Sequence, residues 1–146
     1  MTKSFYQETI ESFWEHLSRQ NWDSAQKLLH ADFVAWWPQS KIRFDGPEKF
    51  IGMNRAYPGQ HNIQVLRVST VGDGVISEVE IKSIMPDGQR LHLFAISFFE
   101  FEGDKIIRAT EYWADTYEAP RWQLQFAVRK LEKVNGSHRL SDCRGS

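Results

Sequence analysis

Between residues 62 and 117 the chain carries four long strand-like runs, at 62–71, 75–85, 90–102 and 105–117, separated only by tight turns. The turns are Gly72-Asp73-Gly74, Pro86-Asp87-Gly88 and Gly103-Asp104. Connections this short force consecutive strands to lie antiparallel, so the segment must be a meander. At about 3.3 Å per residue the longer runs approach roughly 40 Å, and sheets of that length twist and bulge rather than stay flat. A single curved sheet of this size needs a cover on one face, and the remaining sequence has to supply it.

The residues before the meander read as that cover. From Ser4 to Arg19 the apolar residues Tyr6, Ile10, Phe13, Trp14 and Leu17 recur at helical spacing. Asn21 reads as the N-cap of a second helix carrying Trp22, Ala25, Leu28 and Leu29, ended by His30-Ala31-Asp32. Residues 33–37 form a short strand stopped at Pro38. Asp45-Gly46-Pro47-Glu48 has capping-box spacing with Pro in the first turn, predicting a third helix to Ala56 before the break at Tyr57-Pro58-Gly59. After the meander, Pro120 opens an expected helix to Lys133. Trp122 and Phe126 lie one turn apart on it, needing a surface to pack on, either the sheet or a dimer seam. The expected class is α+β, with helices on one face of a curved antiparallel sheet. The expected organisation is one domain over residues 1–134 and a disordered polar tail at 135–146.

A chain of 146 residues is one domain. Six Trp and ten Phe either fill a core or line an apolar cavity. A net charge of −1 without a basic stripe argues against nucleic acid. Cys143 is alone, so no internal disulfide forms, and with no signal-like or membrane-length apolar run the expected setting is the cytoplasm, with no membrane partner. The five His show no zinc-like spacing and no Gly-rich phosphate loop occurs, so neither a metal nor another cofactor is expected.

The order helix, helix, short strand, helix, meander is similar to the nuclear-transport-factor-2-like superfamily. The detail resembles its SnoaL-like, polyketide-cyclase-like branch. The resemblance rests on Trp36-Trp37-Pro38-Gln39-Ser40, Gly46-Pro47-Glu48, Tyr57-Pro58-Gly59, Phe98-Phe99-Glu100-Phe101 and Glu111-Tyr112-Trp113, and covers about residues 5–130. It implies a cone-shaped fold around one apolar pocket. It does not choose a reaction, because relatives of this kind include isomerases, epoxide hydrolases, dehydratases, cyclases and non-catalytic binding proteins.

Glu111 is the foremost candidate for chemistry. It alternates with Ile107, Ala109, Trp113 and Asp115 on the strand face expected to be concave, where burial raises a carboxyl's pKa toward the working range of an acid or base. The resemblance also aligns it with an acidic catalytic residue of the limonene-epoxide-hydrolase branch. The competing reading is a structural glutamate paired with an internal Arg. By the same resemblance Glu78 and Glu80 occupy positions where that branch keeps an Arg and an Asp facing the pocket. Periodicity instead puts Ile76, Glu78, Glu80 and Lys82 on the solvated face, unless a bulge exchanges the faces. Ser97 stands near the position where ketosteroid isomerases hold a protonated acid. As a weaker donor it argues against isomerase chemistry.

Tyr57 offers a hydroxyl to orient substrate or water. Trp14, Trp36, Trp113, Ser97 and Phe99 are the candidate substrate-binding residues. Trp36 and Trp37 point to opposite sides, so at most one of them lines a pocket, and Trp14 also fits simple core packing. The expected ligand is a small apolar or polycyclic molecule, either bound only or turned over with Glu111, Tyr57 and Glu80 as catalytic candidates. His92, Phe94, Ile96 and Phe98 place an apolar patch opposite the core face, from which a homodimer is expected.

Overall fold

A computed structural model describes residues 3–128 of the chain. The first helix, α1 (Phe5–Ser18), opens with a capping box: Ser4 Oγ accepts from the Gln7 amide and Gln7 Oε1 accepts from the Ser4 amide. Its apolar stripe, Ile10, Phe13, Trp14 and Leu17, is buried as the spacing requires. Helix α2 (Trp22–Lys27) follows, then β1 (Leu29–Trp37), β2 (Ile42–Asp45) and α3 (Pro47–Ala56). The meander is β3 (Gln60–Val71), β4 (Gly74–Ile84), β5 (Arg90–Glu102) and β6 (Lys105–Asp115), and a single turn, α4 (Arg121–Leu124), is the last element among the described residues.

The six strands form one sheet in the order β2-β1-β6-β5-β4-β3. The meander is antiparallel throughout, as its turns demand. The expectation of a wholly antiparallel sheet is corrected at one seam, because β1 runs parallel to β6. Leu28 and Leu29 therefore leave the second helix. The Leu28 carbonyl accepts from the Ile106 amide at 2.9 Å, and Leu29 pairs with Ile106, which satisfies a β6 edge that would otherwise be open. Strand β2, absent from the sequence reading, hairpins onto β1 through Pro38–Lys41, with Lys41 at φ 61°.

Register shifts at Leu29/Val34, Val65/Arg67 and Glu100/Phe101 bend the sheet, as strands this long require. The β4–β5 register has no such shift. Val75, Ser77, Val79, Ile81 and Ser83 therefore face inward, and Ile76, Glu78, Glu80 and Lys82 face the convex side.

Helices α1, α2 and α3 cover the concave face. At its closed end Phe13, Trp14 and Phe99 pack edge to face, with ring centroids 5.9–6.3 Å apart. Tyr6 stacks on Phe101 and donates its hydroxyl to the Gly103 carbonyl at 2.7 Å, pinning α1 to the β5–β6 turn. Helix α3 has the bounds its sequence predicts but not the cap. Arg43 engages both Asp45 oxygens, leaving Gly46 at φ 94° as N-cap.

The helix expected after Pro120 is shorter than its sequence suggests. It ends at Leu124, and Trp122 and Phe126 are 66% and 84% exposed rather than packed on the sheet. Its expected end at Lys133, and the tail at 135–146, lie outside the described residues. Among the described residues no helix is long and apolar enough to cross a membrane.

Candidate ligand cavity and its buried carboxylate

Strand β6 turns Glu111 inward with Ala109 and Trp113, and β5 places Ser97 directly across from it. Glu111 is 1% exposed. Its Oε2 accepts from Ser97 Oγ at 2.8 Å and its Oε1 accepts from Trp37 Nε1 at 2.9 Å. The Arg partner of the structural reading is not there; both partners are neutral. Burial pushes the Glu111 carboxyl above the ordinary carboxylate range, and the bonds from Trp37 and Ser97 offset only part of that. An indole N–H can only donate, so Oε1 remains an acceptor and a proton would reside on Oε2. The Ser97 hydroxyl would then turn from donor to acceptor. The site can therefore hold or release a proton with little movement.

Beside this group, at the open end of the cone, lies a cavity of about 450 Å³. Trp14 and Leu17 of α1, Trp22 of α2, Met53 of α3, Tyr57, His61 of β3, Trp37 and Trp113 contribute to its wall. Trp37 and Trp113 meet edge to face with centroids 5.5 Å apart. The Glu111 carboxyl does not itself line the cavity. Trp37 links the two, with its ring in the wall and its N–H on the carboxyl.

The mouth is held by a contact that sequence reasoning missed. The His61 ring stacks on Tyr57 at 4.2 Å, its Nε2–H donates to the Pro58 carbonyl, and its Nδ1 accepts from Ser83 Oγ at 2.6 Å. Gly59, at φ 95°, lets the loop close onto β4, since a Cβ there would lie 2.6 Å from the Ile84 carbonyl oxygen. The alternation His61, Ile63, Val65 could have revealed His61 had the strand been started two residues earlier, at Gln60.

The other candidates separate. Trp14 reaches the inner end of the cavity and donates its Nε1–H to Ser77 Oγ at 3.0 Å, so it serves both core and wall. Trp113 and Tyr57 both line the cavity. Trp36 does not: it is 41% exposed, with the Arg43 guanidinium over its ring, and Trp37 takes the inward place because Phe33, Ala35 and Trp37 share the buried face of β1. Ser97 contacts Glu111 rather than the cavity, and Phe99 is core.

Glu80 is not brought near Glu111. The register predicted for it holds, but it is not solvated. It is 3% exposed on the convex side, set between its cross-strand neighbours Gln64 and Phe94, with Oε2 2.6 Å from His92 Nε2 and Oε1 unpaired. Glu78 pairs with Arg67 at 3.0 Å. A larger depression, about 720 Å³, runs between α1 and β3, but Glu8, Glu11, Glu15 and Arg19 line it and no aromatic side chain does. Among the described residues no group of three or more potential metal ligands forms.

The family model of the SnoaL-like domain matches residues 10–109. The chain belongs to the SnoaL-like domain family. No curated protein matches this SnoaL-like chain. Its fold is shared by solved structures of low identity. One is a candidate ketosteroid isomerase from Kribbella flavida, 22% identical with a TM-score of 0.73, covering 86% of this chain and 90% of that one. Another is a nuclear-transport-factor-2-like protein of unknown function from Burkholderia xenovorans, 24% identical with a TM-score of 0.70, covering 86% and 95%. A third is an LEH-like epoxide hydrolase from M. tuberculosis, 18% identical with a TM-score of 0.66, covering 75% and 82%. The SnoaL-like chain thus has the nuclear-transport-factor-2-like α+β fold that its element order implied.

Proposed function

We propose that this SnoaL-like protein binds a compact, mainly apolar organic molecule in the cavity at the open end of the cone. The observation that carries this reading is the wall itself: four of the six tryptophans, with Tyr57, surround about 450 Å³, within the range of small-molecule sites. Burying an apolar ligand against those rings supplies the affinity, and the few polar groups at the mouth orient it. Intrinsic tryptophan fluorescence tests this directly. Titration with neutral bicyclic and tricyclic compounds should give a saturable change for at least one. Trp113→Ala should weaken that binding about tenfold and Trp36→Ala should leave it unchanged. No saturable change across the panel, or equal loss in both variants, would refute it.

A second reading, that the bound molecule is turned over without a cofactor, is favoured by Glu111. A carboxyl whose proton affinity is raised by burial is suited to acid–base assistance in an isomerase, cyclase or hydrolase, and Glu111 would exchange its proton with a substrate group or water that takes the place of the Trp37 N–H on Oε1. Tyr57 would orient the substrate at the mouth. Resemblance to a candidate ketosteroid isomerase and an epoxide hydrolase supports this class without choosing within it.

We also propose a homodimer through the convex face, where Ile96, Phe98 and Tyr112 are each more than two-fifths exposed and Phe98 meets Tyr112 edge to face within one patch. Sedimentation at micromolar concentration should show a dimer that Phe98→Glu dissociates. A wild-type monomer would exclude it.

A further inference from the structure

The charge pattern of the cavity wall narrows the ligand further, given the binding reading above. Besides the His61 imidazole, five aromatic rings line it, from Trp14, Trp22, Trp37, Tyr57 and Trp113, and no Lys, Arg, Asp or Glu does. Aromatic faces present negative potential, so such a wall attracts positive charge. Behind Trp37 stands Glu111, bonded at 2.9 Å through the indole N–H, and its other partner, Ser97, is also neutral. An indole that donates to a carboxylate gains electron density on its ring. Apart from the Trp113 N–H, which is buried without an acceptor, the wall is therefore electron-rich, with an acidic group behind it and no lysine or arginine lining it.

The polar groups in the wall decide which cation fits. Both His61 nitrogens are engaged, by Pro58 and Ser83, and Asn54 Nδ2 donates to the Phe50 carbonyl. A primary ammonium or a guanidinium would lose its hydration and find few acceptors. A methylated ammonium spreads its charge over methyl groups, needs few acceptors and presents an apolar surface to the rings. We propose that the ligand carries a methylated ammonium group seated against Trp37, Trp113 and Tyr57, with Glu111 as the counter-charge behind Trp37. A cation held there favours the ionised carboxyl and offsets the cost of burying it.

The test compares choline with 3,3-dimethylbutan-1-ol, its neutral carbon isostere, by calorimetric titration of the full chain. Choline should bind at least about tenfold more tightly. Glu111→Gln should reduce choline affinity about fivefold or more and leave the alcohol unaffected. Equal affinities for the two probes overturn the inference. So does failure of choline to bind while neutral bicyclic or tricyclic compounds do, an outcome that leaves the binding reading standing. If no probe of either kind binds, the binding reading falls and this inference falls with it.

Discussion

Trp14→Ala should destabilise the protein by about 3–5 kcal/mol, the largest effect expected of any single substitution. Trp14 is among the largest fully enclosed side chains of the core, and its ring packs edge to face on both Phe13 and Phe99. Its removal opens a void at the closed end of the cone and leaves the buried Ser77 hydroxyl without its donor. Because the same ring also reaches the cavity, ligand affinity should fall together with the melting temperature. Trp14→Phe, which keeps most of the volume but not the N–H, should recover more than half of the loss. Chemical denaturation of the two variants measures both effects. A Trp14→Ala protein within about 1 kcal/mol of wild type would mean that α1 does not close the cone as described.

The second large effect separates the two roles of Glu111. Glu111→Leu strands the Trp37 N–H and the Ser97 hydroxyl in a buried place, at about 1–3 kcal/mol each. Glu111→Gln strands neither, since its carbonyl oxygen can accept from Trp37 and its amide can donate to Ser97 Oγ. It should fold like the wild type. The two proteins should nevertheless differ with pH. The folded state raises the Glu111 pKa above its ordinary 4.5, so between that value and the folded one the native protein holds a proton the unfolded chain has released. The stability this provides is fully present below the unfolded pKa and is lost as pH rises through the folded pKa. Wild type should therefore lose stability relative to Glu111→Gln as pH is raised from about 4.5 toward the folded pKa. Thermal melts of both proteins across that range check the sign. A difference that grows the opposite way would mean that the fold favours the ionised carboxyl, and no pH-dependent difference would mean that it is ionised at little cost.

The parts of this fold that were legible in the sequence are those with a clean period or an unambiguous turn. The bounds of β5 and α3 and the apolar stripe of α1 follow from alternation, from Pro47 and from 3.6-residue spacing. Strand β1 was only half legible because its pairing with β6 shifts between Leu29 and Val34, and the exposed Ala31 and Asp32 inside it break the alternation. Strand β2 is four residues at a sheet edge, too short for any periodic signal. Within the site, Glu111 was legible from its strand face alone, whereas its partners come from β1 and β5, which only the folded sheet brings together. Periodicity placed Glu80 on the correct face but could not show that Gln64, Phe94 and His92 would cover it there. The choice between Trp36 and Trp37 required the register of β1.

The ligand should sit in the cone-mouth cavity. The most direct measurement is a crystal structure of the full chain with the tightest neutral compound from the fluorescence titrations. The predicted result is ligand density enclosed by Trp22, Trp37, Tyr57 and Trp113, with Glu111 still bonded to Trp37 and Ser97 behind it. Density confined to the depression between α1 and β3, or to the convex face beside His92, would contradict the account.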